Sequence, residues 1–161
     1  MVTQITKNYI KSNIPYFGKL VALRYTGIKG KAWRLISDFV RMRDFLKYGK
    51  CITCNQRIND WREIDAGHFI SMSGHGALSG FSDENIHGQC KGDNMLSSYH
   101  QGKVFEQNII SRGYDVDKIK KLANISVKAD DWFFIKIIEI TYNKFQKLKE
   151  EYPNENYPEY L

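Results

Sequence analysis

No run of about 18 apolar residues occurs in the 161-residue chain, which excludes a hydrophobic helix long enough to span a membrane. The N-terminal stretch also lacks an uninterrupted apolar core and a small-residue cleavage site, so no signal peptide is expected. Cysteine is scarce and odd in number: Cys51, Cys54 and Cys90. Two of the three form a CxxC, and without a secretory signal that pattern favours metal binding over disulfides. There is no internal repeat and no low-complexity tract, so the length suits one domain with a modest core. Aromatic residues are plentiful and charge is ordinary, which excludes a disordered chain.

Positive charge is concentrated at the front. Residues 1–50 carry eleven Lys and Arg against only Asp38 and Asp44, a net +9, so the remainder of a +6 chain sums to −3. A basic front half suits a polyanion such as nucleic acid, or equally a solvated basic surface. Residues 1–30 lack a clear period and read as an arm, with a short helix or strand around Lys19–Tyr25. Its Tyr9, Tyr16, Phe17 and Tyr25 are interleaved with Lys and Arg. Such a mix suits a DNA backbone or a partner subunit.

From Lys31 to Tyr48 the pattern is helical: Leu35, Phe39, Met42 and Leu46 recur at steps of four and three, and Gly49 stands where a helix-ending glycine would. Lys31, Arg34, Arg41, Arg43 and Lys47 are its candidate DNA contacts. A knuckle and a strand near Trp61–Asp65 should follow, then a Gly/Ser loop over 71–82 holding His75, itself a candidate substrate contact or merely solvated. A helix is expected past Cys90 through Asn94, Leu96 and Tyr99, with further helices near 103–112 and 116–123. The last, about 130–151, carries the stripe Phe134, Ile138, Tyr142, Phe145 and Leu148, with Asp130 and Asp131 at its positive end. Pro153 and Pro158 suggest a frayed tail.

The central stretch carries the chemistry. The two-residue gap of Cys51 and Cys54 lets both sulfurs grip one ion, and Cys90 supplies a third thiolate. A structural Zn²⁺ wants a fourth ligand, and where a second CxxC would have a cysteine this chain has Asp93. Cys₃Asp is therefore the simplest set, with His87 and His100 as alternatives. Such an ion contributes about 10–16 kcal/mol of apparent binding energy to folding in finger peptides, enough to fix a small hairpin.

Phosphodiester hydrolysis needs an activated water, a cation on the phosphate and positioning. A neutral histidine can take a proton from water near working pH. A hard cation such as Mg²⁺ or Mn²⁺ takes oxygen ligands and keeps most of its waters. His68 fits the base, Asp65 and the Asn94 side-chain oxygen fit the metal, and Asn85 would hydrogen-bond across the hairpin or orient His68. Each residue taken singly has a bland role in turn, cap or core. Together, beside CxxC and Cys90, they point to a nuclease site.

The segments CITC, DAGHF and NIHGQC followed by Asn94, preceded by the AWRLISDFVRMRDF helix, resemble phage recombination nucleases of the NinG/Rap type over about Trp33–Tyr99. More distantly, the order CxxC, Asp-x-x-His, Cys and Asn is similar to that of phage endonuclease VII in the HNH, or His-Me finger, group. In that group the pattern has a fourth cysteine where this chain has Asp93. The resemblance implies an α+β fold, mostly helical, with a zinc-stapled ββα-metal core at about 51–100. That core would lie within a single nuclease domain, 31–161, flanked by N- and C-terminal helices. It also implies a homodimeric, phage-encoded endonuclease acting in the host cytoplasm on branched DNA such as Holliday junctions or D-loops, with no membrane and no small-molecule substrate. The aromatic stripe of the last helix reads as core or dimer interface, and the stripes of the first and last helices are candidate interfaces.

Overall fold

The computed structural model describes Asn8, Tyr9, Ser12, Ile14 and residues 27–73, 75–95 and 99–161, with the backbone alone for residues 99–101. The expected arm, including Lys19–Tyr25, and the expected helical position of Leu96 fall outside the described residues, apart from those four. The described chain is mostly helical with a small two-stranded sheet, the α+β class that the sequence implied. It divides into two compact units, Met1–Phe39 with Lys128–Leu161, and Val40–Val127.

Helix α1 spans Gly27–Tyr48. Leu35, Ile36, Phe39, Val40 and Met42 are buried, as the three–four spacing requires. Its end is set by Gly49, whose φ of 62° is left-handed and whose N–H reaches the carbonyls of Asp44 and Phe45. In the unit formed by the chain ends, the last helix, α6 (Asp131–Glu151), is capped by the Asp130 side chain, which accepts from the Phe133 N–H at 3.1 Å. Its stripe residues Phe134, Ile138, Phe145 and Leu148 are all buried, and Phe145 meets Phe39 edge-on at 5.2 Å. Most of both stripes is thus core, with Leu46 and Tyr142 half-buried. The tail is not frayed. Tyr160 is buried and donates to Asp38, and the Tyr157 hydroxyl lies 2.9 Å from the carbonyls of Leu148 and Tyr152. Pro153 follows the end of the helix, and the tyrosines beyond it bring the chain back.

The unit 40–127 is built on an antiparallel pair, β1 (Ile64–His68) with β2 (Ile86–Cys90). Trp61–Glu63, expected as strand, is a 3-10 turn capped by Asp60, whose side chain accepts from the Arg62 N–H at 2.9 Å. Within the expected loop, Ala77–Gly80 is a helical turn, α2. After β2 come α3 (Lys91–Met95), α4 (Tyr99–Ser111) and α5 (Val116–Ala123). Two strands alone are marginal in water, so their stability comes from what packs on them. Ile52 of the CITC knuckle is fully buried with Phe105, Ile109, Val116 and Ile119, and Phe69, Ile70 and Tyr114 pack against that cluster. Each such side chain contributes roughly 1.5–3 kcal/mol, so the knuckle is part of the core that supports the sheet. Among the described residues, no helix is long and apolar enough to cross a membrane.

Candidate metal centre and active site

The knuckle is a tight turn. Asn55 takes a left-handed φ of 59°, its N–H bonds to the Cys51 carbonyl at 3.2 Å, and the Cys51 N–H bonds to the Gln56 carbonyl at 2.9 Å. This curls Cys51 and Cys54 to one side. The sheet register sets Cys90 opposite Ile64 at the sheet's end, and α3 carries Asp93 back over it. The ligand atoms of Cys51, Cys54, Cys90 and Asp93 all lie within 4.8 Å of one another.

Around a tetrahedral zinc, with Zn–S near 2.3 Å and Zn–O near 2.0 Å, two sulfurs lie about 3.8 Å apart and a sulfur and an oxygen about 3.5 Å apart. Here Cys54 Sγ and Cys90 Sγ are 3.8 Å apart, and Asp93 Oδ2 lies 3.3 Å from Cys51 Sγ and 3.0 Å from Cys90 Sγ. The donor set fits zinc in count, chemistry and spacing. Cys51 Sγ also accepts from the N–H groups of Thr53 (3.4 Å) and Cys90 (3.3 Å), which orient it as a ligand. Burial, with the Asp93 carboxylate beside them, pushes the Cys54 and Cys90 thiols up from their ordinary value. A divalent cation at this point reverses the sign of that repulsion.

His87 is not the fourth ligand. It is fully buried on β2, away from the thiols, in a charged cluster around Asp44. Asp44 receives Arg43 Nε at 2.6 Å on one oxygen, and Arg112 (3.1 Å) with the Gly88 N–H (2.8 Å) on the other. Gly88 has no room for a side chain, since a Cβ there would come within 2.7 Å of Ile64 Cδ1 and 3.1 Å of Asp44 Cβ. His87 Nε2 faces the Glu84 carbonyl at 3.1 Å, so it carries the proton, and Nδ1 accepts from Arg43 at 3.2 Å. Nδ1 is also 3.2 Å from Asp44 Oδ2. A proton there would make a bond, but burial lowers the His87 pKa and the nearby Arg43 and Arg112 charges add to that, so the ring is neutral. Burial alone would raise the Asp44 carboxyl, yet the adjacent Arg43 guanidinium holds it well below the usual carboxylate range.

This cluster was not foreseen, and it turns Arg43 inward from the basic face expected on α1. Arg43 is buried and also donates to the carbonyls of Asp83 (2.7 Å) and Ile86 (3.0 Å), so its fork joins α1 to β2. Lys31 is buried too, and Arg34 is held to buried Asp38 at 2.6 Å. Arg41 reaches the Ile64 carbonyl at 3.4 Å, while Lys47 is exposed in the last turn. Arg112 also donates to the Lys50 carbonyl (3.0 Å) and Asn108 to that of Ile52 (2.6 Å), so α4 holds the knuckle on both sides of Cys51. Removing one partner of a buried ion cluster strands the others. Asp44→Ala is therefore expected to cost about 3–5 kcal/mol, read as a lower denaturant midpoint.

The structure brings Asp65 and Asn94 together. Asn94 lies one helical turn past Cys90, and its Nδ2 donates to Asp65 Oδ2 at 3.1 Å. Rotating the amide by half a turn would present Asn94 Oδ1 beside that carboxylate, an all-oxygen pair that suits Mg²⁺ or Mn²⁺. His68 ends β1, three residues after Asp65. Its Nε2 donates to the Gly80 carbonyl at 3.0 Å, which sets the tautomer of the neutral ring. Burial lowers its pKa, against the opposing effect of that bond, and so favours the neutral ring.

Asn85 is fully buried and works across the hairpin. It accepts from the Ile70 N–H (2.8 Å) and donates to the carbonyls of Ile70 (2.9 Å) and Ser79 (3.2 Å), closing the loop that carries Gly80. His75 is exposed and lines an open pocket of about 350 Å³ with Gly76 and residues 123–126. The side chain of His100 lies outside the described residues.

A family model described as Bacteriophage Lambda NinG protein matches residues 19–153. The chain belongs to the NinG family. No curated protein and no solved structure matches it. The matched span includes every NinG residue placed above in the thiol cluster, the Asp65–Asn94 pair and the Asp44 network.

Proposed function

We propose that this NinG chain is a metal-dependent endonuclease that hydrolyses phosphodiester bonds in branched recombination intermediates of DNA. The observation that carries the proposal is the juxtaposition of Asp65 and Asn94 across β1 and α3, one helical turn from a thiol cluster suited to zinc. Three thiolates and a carboxylate take no part in hydrolysis, and their role is to hold α3 on the sheet. Asp65 and Asn94 would hold Mg²⁺ or Mn²⁺, which when bound supplies charge stabilisation at the scissile phosphate and the departing oxygen.

The chain's own part is the proton. His68, kept neutral by burial and fixed through Nε2 to Gly80, takes a proton from the attacking water. The water oxygen bonds to phosphorus, the bond to the leaving oxygen breaks, and that oxygen leaves with a proton from solvent. Branched DNA as substrate, and a dimer to cut two strands, rest on the resemblance to phage recombination nucleases.

The test uses a labelled four-way junction and a matching linear duplex, with or without added Mg²⁺, and zinc-loaded wild type beside Asp65→Ala. The expected result is Mg²⁺-dependent cutting of the junction, lost in the variant while junction binding persists. Equal cutting of both substrates would keep the chemistry and remove the branch preference. Tight binding without cutting under any divalent metal would make this a zinc-stapled DNA-binding module.

A further inference from the structure

Two arginines converge on one indole at the start of the strand that carries Asp65. Arg62 Cζ lies 4.8 Å and Arg41 Cζ 5.2 Å from the Trp61 ring, itself buried in the 3-10 turn. Arg41 also donates to the Ile64 carbonyl, one residue from Asp65. Stacking occupies the flat face of a guanidinium, and its N–H donors lie in the plane, where phosphate oxygens bind. The two distances keep the guanidinium carbons within about 10 Å of each other, close enough for both to face one strand, whose phosphates recur every 3.4 Å or so of axis.

Arg62 is the outer of the two. Its side chain is 47% exposed, and its partner is Asp60, itself 41% exposed, at 3.3 Å. An exposed pair of this kind is held by no more than about 1 kcal/mol, so a phosphate can displace the carboxylate. The turn also carries Glu63, so broad positive potential does not explain affinity here, and the arginines must act as point contacts.

We propose that Arg62, backed by Arg41 on Trp61, forms a phosphate-binding clamp for the DNA strand that runs into the Asp65–Asn94 centre. The clamp rests on the nuclease reading for its ligand, and on the placement of the turn for its position. Asp60 then acts as a competitor that holds Arg62 until a phosphate arrives.

The test measures binding of the labelled four-way junction by the zinc-loaded protein without added Mg²⁺ or Mn²⁺ across a salt series, so that cleavage plays no part. Arg62→Gln is expected to weaken binding several-fold and to reduce the slope of log affinity against log salt by about 0.7–0.9, one phosphate contact. Lys121→Gln, an exposed lysine on α5, should leave that slope unchanged. Asp60→Asn keeps the cap oxygen and removes the competing charge. It should tighten binding in the wild-type background and do nothing in Arg62→Gln. An unchanged slope in Arg62→Gln, or an Asp60→Asn gain that persists without Arg62, would overturn the clamp while wild-type cutting leaves the nuclease reading standing. Wild type that fails to bind DNA would overturn both.

Discussion

Cys51→Ser is expected to abolish zinc retention and unfold the unit 40–127. Cys51 is the buried member of the thiol set, and its sulfur is at once a candidate ligand and the acceptor of two backbone N–H groups. A structural zinc contributes about 10–16 kcal/mol of apparent energy to small finger folds, as much as the whole stability of a typical domain. The sheet is only two strands of five residues, so little else can take over. Zinc content per chain by atomic emission and thermal melts with and without chelator check this. Asp93→Ala should lower zinc retention, because it removes the oxygen that sits between Cys51 and Cys90. Asp93→Cys should preserve or raise retention and melting temperature by restoring a four-thiolate shell. A wild-type melt that chelator leaves unmoved, in protein free of zinc, would show that the four side chains hold no ion.

What was legible in the sequence is what local chemistry decides. CxxC spacing, the interval from Cys90 to Asn94, the stripe of α1 and its Gly49 cap all act within a turn or two of chain, and the fold places them together. The Asp44 cluster was not legible because it joins segments as much as 68 residues apart, from Asp44 to Arg112. On a helical wheel Arg43 counts as polar and therefore outward. Only the buried carboxylate beside it turns it inward, and no period in the sequence announces that. Two signals were present and misread. Asp60 followed by Glu63 is a capping pattern, which marks Trp61–Glu63 as a helical turn rather than strand. Tyr157 and Tyr160 after Pro153 are apolar bodies with polar tips, suited to folding back on a core rather than fraying. The contact between His68 and Gly80 stayed hidden for another reason, since it depends on Ala77–Gly80 turning as a helix inside a run of Gly and Ser that reads as loop.

His68→Ala is expected to reduce metal-dependent cutting of the four-way junction about 10²–10⁴-fold, the usual worth of a positioned base, with junction affinity unchanged. Affinity should hold because His68 is half-buried and bonded inward to Gly80, so it adds no charge to a DNA surface. The pH dependence separates a base from a structural residue. Burial holds the folded-state pKa of His68 below its ordinary value near 6.5. If the neutral ring takes the proton, the wild-type rate is flat with respect to His68 from about pH 6.5 upward. It then falls as the pH drops through that lowered value. The residual rate of the variant should lack this acid limb. Stability moves in the same direction. For His68 and buried His87, both held low, the contribution is fully present above the unfolded pKa, and it is lost as the pH falls through the folded one. Rates must therefore be compared where melting shows the fold intact. A variant that cuts at the wild-type rate, or keeps the same acid limb, would transfer the base role away from His68 and leave its bond to Gly80 as a purely structural tie.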